Sequence, residues 1–496
     1  MIKKLIFNDV RHNKLMSAVT VFFMTISAAL LALTVLLCTN LLGAIDNLMD
    51  NAIVPDFMQM HAGEVKERVL ASFADNSPQV QDWQLCRFLN LDNSQIVLGG
   101  HNLIDSTQDN GLCVQGQRFD FLLDMDGKLP IVLPGKVYVP ISYRAQYGVA
   151  PGDVLEIGER KLTVAGFIRD AQMNSMMASS KRFLVSEKDY RALTDQGQEE
   201  YLIEFLLDDG ADINNFQSDY LDQGLPCNGP LVTRPLIRMM NALSDGMMIF
   251  VIFLVSIMVL LIAMLCIHFI LALQMERDRK EAGMLKALGI DRREIKRIYF
   301  AKYLLVSACG ALVGLGLAAA AQEPLAKQLR ELYGSADQGV SNGIAALLAS
   351  LLSVGIILLS VNQSLKKTDN LSVLDALFPV QKKQKVRRQY LLIGVMTAIC
   401  TFLMLVPKNL HNTLCSPVFV TYMGIGSGEL RIDVRQREDI DRMTDQIAAV
   451  LEHDLQVEKY VVLQTSVLTH LYLVKLCRTI VHQQDGRRRR CGGIVD

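Results

Sequence analysis

The chain has 496 residues, of which 51% are hydrophobic and 20% charged, and its mean hydropathy is +0.25. Soluble domains average about 45–50% apolar and about 25% charged residues, so this balance points to a membrane protein and excludes intrinsic disorder. A net charge of −1 and a pI of about 6.7 leave no global basic field, so nucleic acid is not an expected partner.

Apolar runs of about 18 or more residues read as transmembrane helices. Five such runs occur, at 16–45, 245–275, 303–322, 343–365 and 389–407. The first is too long for the core of a signal peptide and no A-x-A site follows it, so it reads as a retained span. Basic residues cluster in 1–15, 276–302 and 366–388 (Lys3, Lys4, Arg11, Arg279, Lys280, Arg292, Lys382, Arg388 among them). The positive-inside rule puts these segments, and the N-terminus, in the cytoplasm. Residues 46–244 then form an extracytoplasmic domain, and 323–342 an outer loop. The expected fold class is a multi-pass α-helical membrane protein with a mixed α+β extracytoplasmic domain between the first two transmembrane helices.

Within that domain, 131–140 is rich in β-branched residues and reads as a strand. Residues 153–157 and 161–168 flank Gly158-Glu159-Arg160 as a hairpin. Further strands are expected at 182–185 and 201–207, and short helices at 187–193 and 212–221. Residues 46–73 and 235–246 have helical patterns and read as stalks that continue the first two spans outward. His61 and His101 are the only histidines of the domain, and neither an HExxH nor a GxSxG motif occurs, so no catalytic site is expected. Met173, Met176 and Met177 read as a cluster packed on their own domain. The ten cysteines form no CxxC pair and no Cys/His set at zinc spacing, so no metal site is expected. His268, inside the second span, reads as an interhelical hydrogen-bonding residue.

The segment 275–301 (MERDRKEAGMLKALGIDRREIKRIYFA) follows the second span directly. Gly289 can stop a helix, Asp291 can cap the next, and Glu294 stands at capping-box spacing. Ile295, Ile298 and Tyr299 give the second helix an apolar face against the membrane. Charge alone would lay such a loop on anionic lipid. The run from Arg279 to Gly289 (RKEAGMLKALG), however, resembles the FtsX-like permease family of ABC transporters, which includes the MacB-type and BceB-type transmembrane subunits. Gly310, Gly314 and Ala318 in the third span have the small-xxx-small spacing that lets helices approach closely. Residues 372–377 (SVLDAL) resemble the family's short tail but lack its proline, and 137–140, 152–153 and 164–170 also look like family sequence.

The resemblance implies that Lys280, Glu281, Gly283, Lys286, Leu288 and Gly289 form or brace a surface that couples to an ABC-type ATP-binding subunit. No Walker A loop occurs in this chain, so no cofactor is expected on it, and ATP and Mg belong to that separate partner. It further implies a bacterial plasma (inner) membrane protein that works by mechanotransmission and exports or extracts an amphiphile such as a peptide, lipid or lipoprotein. Membrane lipid, and a second copy or a second permease half, complete the expected partners. The alternative is a regulator that activates a cell-wall hydrolase or a sensor kinase and moves no solute.

The fifth span restarts the pattern, and 408–474 reads as the start of a second outer domain, with strands at 430–434 and 457–463 and a helix at 437–455. Residues 475–496 lose periodicity and carry four consecutive arginines, which reads as an aberrant tail from a truncated or frameshifted frame; the alternative is a basic tail that binds anionic lipid or wall polymer.

Overall fold

The structure is a computed structural model. It describes residues 14–104, 106, 108–175, 178–277, 292–336 and 340–367, and parts of 391–478. The chain is a multi-pass α-helical membrane protein. Four of its described helices are long and apolar enough to cross a membrane, and a mixed α+β domain lies between the first two.

Helix α1 is Lys14–Asn51. Then come β1 (Phe57–Ala62), α2 (Glu67–Asn76), β2 (Val80–Leu91), β3 (Ile96–Leu98), β4 (His101–Asn102), β5 (Asp109–Cys113) and β6 (Lys136–Pro140). These are followed by α3 (Ser142–Tyr147), β7 (Val154–Ile157), β8 (Arg160–Ile168), β9 (Ser180–Val185), α4 (Glu187–Leu193), β10 (Gly197–Leu207), α5 (Ile213–Asp222) and β11 (Leu231–Thr233). The spans resume with α6 (Arg234–Arg277), α7 (Arg292–Tyr333) and α8 (Val340–Lys367). The described distal part holds α9 (Ile440–His453) and the antiparallel strands β12 (Val462–Thr465) and β13 (Lys475–Arg478).

One sheet of eleven strands runs through the domain in the order β11-β1-β10-β2-β5-β9-β6-β8-β7-β3-β4. The β5–β9 and β6–β8 pairs are parallel and the others antiparallel. Two cores flank it. Phe57, Phe73, Phe205, Phe216 and Tyr220 fill one lobe, beneath α2 and α5. Leu112, Val137, Tyr143, Leu155, Phe183 and Tyr190 fill the other, beneath α3 and α4.

Local sequence explains several elements. Gly158 takes a left-handed φ of 55° at the turn between β7 and β8. Ser186 caps α4 by accepting from Asp189 N, and Asp212 caps α5 by accepting from Asn214 N. Pro235, the second residue of α6, sits where a missing N–H costs least.

Three expectations need correction. Residues 46–73 are not one helical stalk: α1 stops at Asn51 and β1 follows. Pro55 disfavours helix at Val54. All six residues of β1 are buried, because β10 and β11 pair with both edges and apolar cores cover both faces. A strand covered on both faces loses the alternation that identifies strands in sequence. Within 131–140, only Lys136–Pro140 is strand, since Pro130 and Pro134 deny the ladder its donors. Finally, 323–333 is not loop but the outer extension of α7, and the helix that begins at Arg292 runs unbroken into the third span.

Helix α1 packs against α6, α7 and α8. Toward the helix ends away from the domain, Met24, Ile267, Leu271, Tyr303, Ile357, Val361 and Leu365 form a shared core. At mid-depth, α1 and α7 meet almost backbone to backbone. A Cβ added at Gly310 would lie 2.8 Å from the Met24 Cβ, and one at Gly314 would lie 2.7 Å from the Thr25 carbonyl oxygen. Ala318 is buried in the neighbouring cluster. Gly314→Ala is expected to destabilise the detergent-solubilised chain by about 1–3 kcal/mol through overpacking. Gly316→Ala, whose Cβ would meet nothing within 4 Å, should leave the melting temperature unchanged or raise it. Equal melting temperatures for both variants and the native chain would contradict this packing.

Candidate functional site

The domain meets the helices at one place, where the outer ends of α1, α6 and α7 converge on two loops, 119–123 and 169–175. The core there is shared: Ile45, Leu48, Val54, Ile237, Leu329 and Tyr333 from the helices and their flanks pack with Leu123 and Ala171 from the domain.

Each helix end is held by specific hydrogen bonds. Helix α1 closes with the bonds Val54 N→Met49 O and Ile53 N→Asp50 O, the paired cap usually completed by a left-handed glycine. Here that position is Ile53, at φ 49°. The turn drives Val54 into the shared core, where it is fully buried, while Ile53 stays 40% exposed. Asp120 N then donates to Ile53 O and Phe121 N to Ala52 O, so loop 119–123 covers the last carbonyls of α1. Asp120 is itself left-handed at φ 52°. A β-branched residue with positive φ is an outlier, and each such residue stores about 1–3 kcal/mol of strain.

The second loop grips α6 and α7. The Arg169 guanidinium donates to the carbonyls of Arg330 and Glu331 at the C-terminus of α7, and to that of Met125. A cation there also complements the helix dipole. Asn174 donates to Leu332 O, Ser175 to Met240 O, and Asn241 on α6 donates back to Ala171 O. Between the helices, Tyr333 donates to Asn241 O and to Asp245 Oδ2 at 2.6 Å. On α1 and α6, Arg238 pairs with Asp46 and Arg234 with Asp50, both at 2.6 Å.

Two adjacent cations opening β9 tie the loops together. Arg182 donates to Asp170 through Nε at 2.7 Å and through a terminal nitrogen at 2.6 Å, and it also forks onto Asp120. All three side chains are at most 3% exposed. One guanidinium therefore joins the loop on α1 to the loop on α6 and α7. Lys181, fully buried, donates to the carbonyls of Met173, Asn174 and Ser175 at 2.6, 3.1 and 2.8 Å. Asp170 Oδ1 accepts from the N–H groups of Gln172 and Met173.

Glu204 on β10 completes the cluster, accepting from Gln84 and Gln172, both at 2.8 Å. Burial, reinforced by the Asp120 charge, pushes the Glu204 carboxyl well above the usual carboxylate range. Burial alone would raise Asp120 too, but the charge and hydrogen bonds of Arg182 outweigh it and hold Asp120 below its ordinary value. The buried cations Arg182 and Lys181 stand among the carboxyl groups of Asp120, Asp170 and Glu204. Burial lowers Lys181 to about 8.

Cys86, Asp120 and Glu204 bring three donor atoms within 4.8 Å of one another. They do not suit a metal ion. Arg182 holds the Asp120 oxygens, two glutamine amides hold those of Glu204, and burial pushes the Cys86 thiol well up, away from the thiolate a metal needs.

Among the residues singled out in the sequence, Gly310, Gly314 and Ala318 lie on α7 against or beside α1. Lys280, Glu281, Gly283, Lys286, Leu288 and Gly289 lie outside the described residues, as do Met176 and Met177. The segments expected as a fifth span and as a distal tail are described only in part. Sequence reasoning read Arg182 only as the start of a strand and did not single out Lys181 or Asp120. The available signal was the pair Lys181-Arg182 opening an otherwise apolar strand.

Residues 253–372 match the family model for the FtsX-like permease C-terminal domain. The matched residues comprise α6 from residue 253 onward, α7, α8 and the residues between them. Among solved structures, the periplasmic region of MacB from Actinobacillus actinomycetemcomitans is similar at 12% identity, covering 38% of this chain and 94% of that chain with a TM-score of 0.23. No curated protein matches the sequence.

Two outcomes test the cluster. Arg182→Met leaves Asp120 and Asp170 buried with Lys181 as their remaining nearby cation and should cost about 3–5 kcal/mol, read as a large drop in melting temperature. For Glu204, a folded pKa raised above the unfolded one means that the stabilising proton is fully held below the ordinary carboxylate range and stability is lost as pH rises beyond it. Glu204→Gln removes that loss, so it should melt higher than the native chain at pH 7, with the gap closing toward pH 4. A lower melting temperature at pH 7 would contradict the assignment.

Proposed function

We infer that the chain is the transmembrane permease subunit of an ABC-type transporter and passes motion from a separate ATP-binding subunit to its outer domain. The observation that carries this reading is the junction: three membrane helices end on one domain through hydrogen-bonded, ion-paired contacts. The family match covers α6 from residue 253 onward, all of α7 and α8, and residues 278–291 between α6 and α7, but not α1. A helix is stiff over such lengths; α7 alone, at 42 residues, is about 63 Å long. A displacement at the cytoplasmic end would therefore be carried along α7 to Pro324 and, through the last turns of the helix, to the clamp at Arg169.

In this reading, the basic flanks place the N-terminus and residues 276–302 in the cytoplasm of a bacterial cell, at the plasma membrane. Lys280, Glu281, Gly283, Lys286, Leu288 and Gly289 meet the ATPase there, which supplies ATP and Mg. The substrate is an amphiphile. This is supported by exposed Met239, Leu243, Met247 and Phe250, which line one stripe of α6 beginning beside the Asp46–Arg238 pair. A second copy, or a second permease half, completes the assembly.

The direct test is affinity purification of the tagged chain from its own membranes in mild detergent, beside Glu281→Arg, with mass spectrometry of what is recovered. A P-loop ATPase should accompany the native chain and be reduced at least tenfold with the variant. Absence of any ATPase from the native sample would contradict the proposal. Recovery of a wall hydrolase or sensor kinase as well would favour the regulatory function.

A further inference from the structure

The outer end of α1 has features that a simple clamp does not require. The capping position where glycine fits without strain is occupied by Ile53, in the left-handed region. Its direct hydrogen-bond partner, Asp120, is left-handed as well. Strain is therefore concentrated on both sides of one of the two hydrogen bonds through which loop 119–123 covers the end of α1. Three things oppose it: the paired bonds Asp120 N→Ile53 O and Phe121 N→Ala52 O, the burial of Val54, and the hold of Arg182 on Asp120. Neither Asp170 nor any residue of 171–175 among those described has a positive φ. The two arms that Arg182 joins are thus unequal: the arm on α1 is strained, while the arm on α6 and α7 is not.

We propose that Ile53 and Asp120 form a two-state catch that lets α1 slip relative to the domain while α6 and α7 stay clamped. When latched, loop 119–123 covers the end of α1 and the domain follows that helix. In the released state, the two amides leave the carbonyls of Ala52 and Ile53, and both strained residues return to right-handed or extended backbone. Arg182 keeps its fork on Asp170, so the grip of loop 169–175 on α6 and α7 persists. Strained residues held only by surrounding contacts are suited to such bistable elements. The catch sets how far α1 can move before the domain ceases to follow, and it rests on the motion-transmitting reading above.

Hydrogen–deuterium exchange of the full chain in lipid nanodiscs, followed by mass spectrometry, tests it without any partner. Reporter amides are Phe121 for the α1 arm, and Gln172 and Met173 for the other. Ile53→Gly and Ile53→Asn relieve the strained position in different ways, since glycine and asparagine both tolerate it. Both should slow exchange at Phe121 about tenfold and leave Gln172 and Met173 unchanged. Asp120→Asn, which keeps a residue tolerant of positive φ but loses the charge that Arg182 holds, should speed exchange at Phe121 alone. Unchanged or faster Phe121 exchange in both Ile53 variants would overturn the catch, as would parallel changes in both arms. These readouts use no ATPase, so a failed catch beside a recovered ATPase refutes the catch and leaves the transport reading standing, and the reverse result refutes only the latter.

Discussion

A guanidinium sealed from water must find its hydrogen bonds inside the protein, and Arg182 finds them on two carboxylates from two different loops. Much of the junction follows from that constraint. Asp170 must stay where Arg182 can fork onto it, which fixes the start of loop 169–175. Lys181, next in the strand, fixes the rest of that loop by donating to three of its carbonyls. The loop so ordered presents Arg169, Ala171, Asn174 and Ser175 to the ends of α6 and α7. The other carboxylate, Asp120, places the loop that covers α1. Truncating one member of such a cluster leaves a buried charge unbalanced, which is why its integrity is tied to the geometry of all three helix ends.

The membrane half follows a simpler logic. Between helices in lipid, close packing supplies what burial from water supplies elsewhere. Gly310 and Gly314 bring α7 against α1 near Met24, Thr25 and Ala28, and α1 also packs against α6 and α8. The outward extension of α7 is then held by Ala326, Leu329 and Tyr333 against the shared core. Pro324 interrupts the hydrogen-bond ladder of α7 at the start of that extension, between the part set by the bilayer and the part set by the domain.

The features legible in the sequence are those governed by local rules. Four spans could be read because hydrocarbon thickness sets their length. The turn at Gly158, the short helix at 187–193 and the small-residue spacing along α7 depend on a few adjacent positions. Strand β1 could not be read, because full burial erased its alternation and its Met, Gln, His and Ala residues suit a helix at least as well. The junction was hidden for another reason. Arg182 meets Asp120 from 62 positions away and Arg169 meets Glu331 from 162, so no local window contains both partners. Nothing in FIRD or SKRF tells a buried cation from a solvated one until the sheet has placed β9 at its centre.

The central claim is that the domain and the outer ends of α6 and α7 form one mechanical body organised by Arg182. The most direct measurement is the distance distribution between spin labels at Ile131, on the domain surface, and Leu243, on the exposed face of α6, in nanodiscs with the native cysteines replaced by serine. A single narrow distribution in the otherwise native chain, broadened by Arg169→Ala, is the result expected. A distribution that is already broad before that substitution, or one that Arg169→Ala leaves narrow, would contradict the claim.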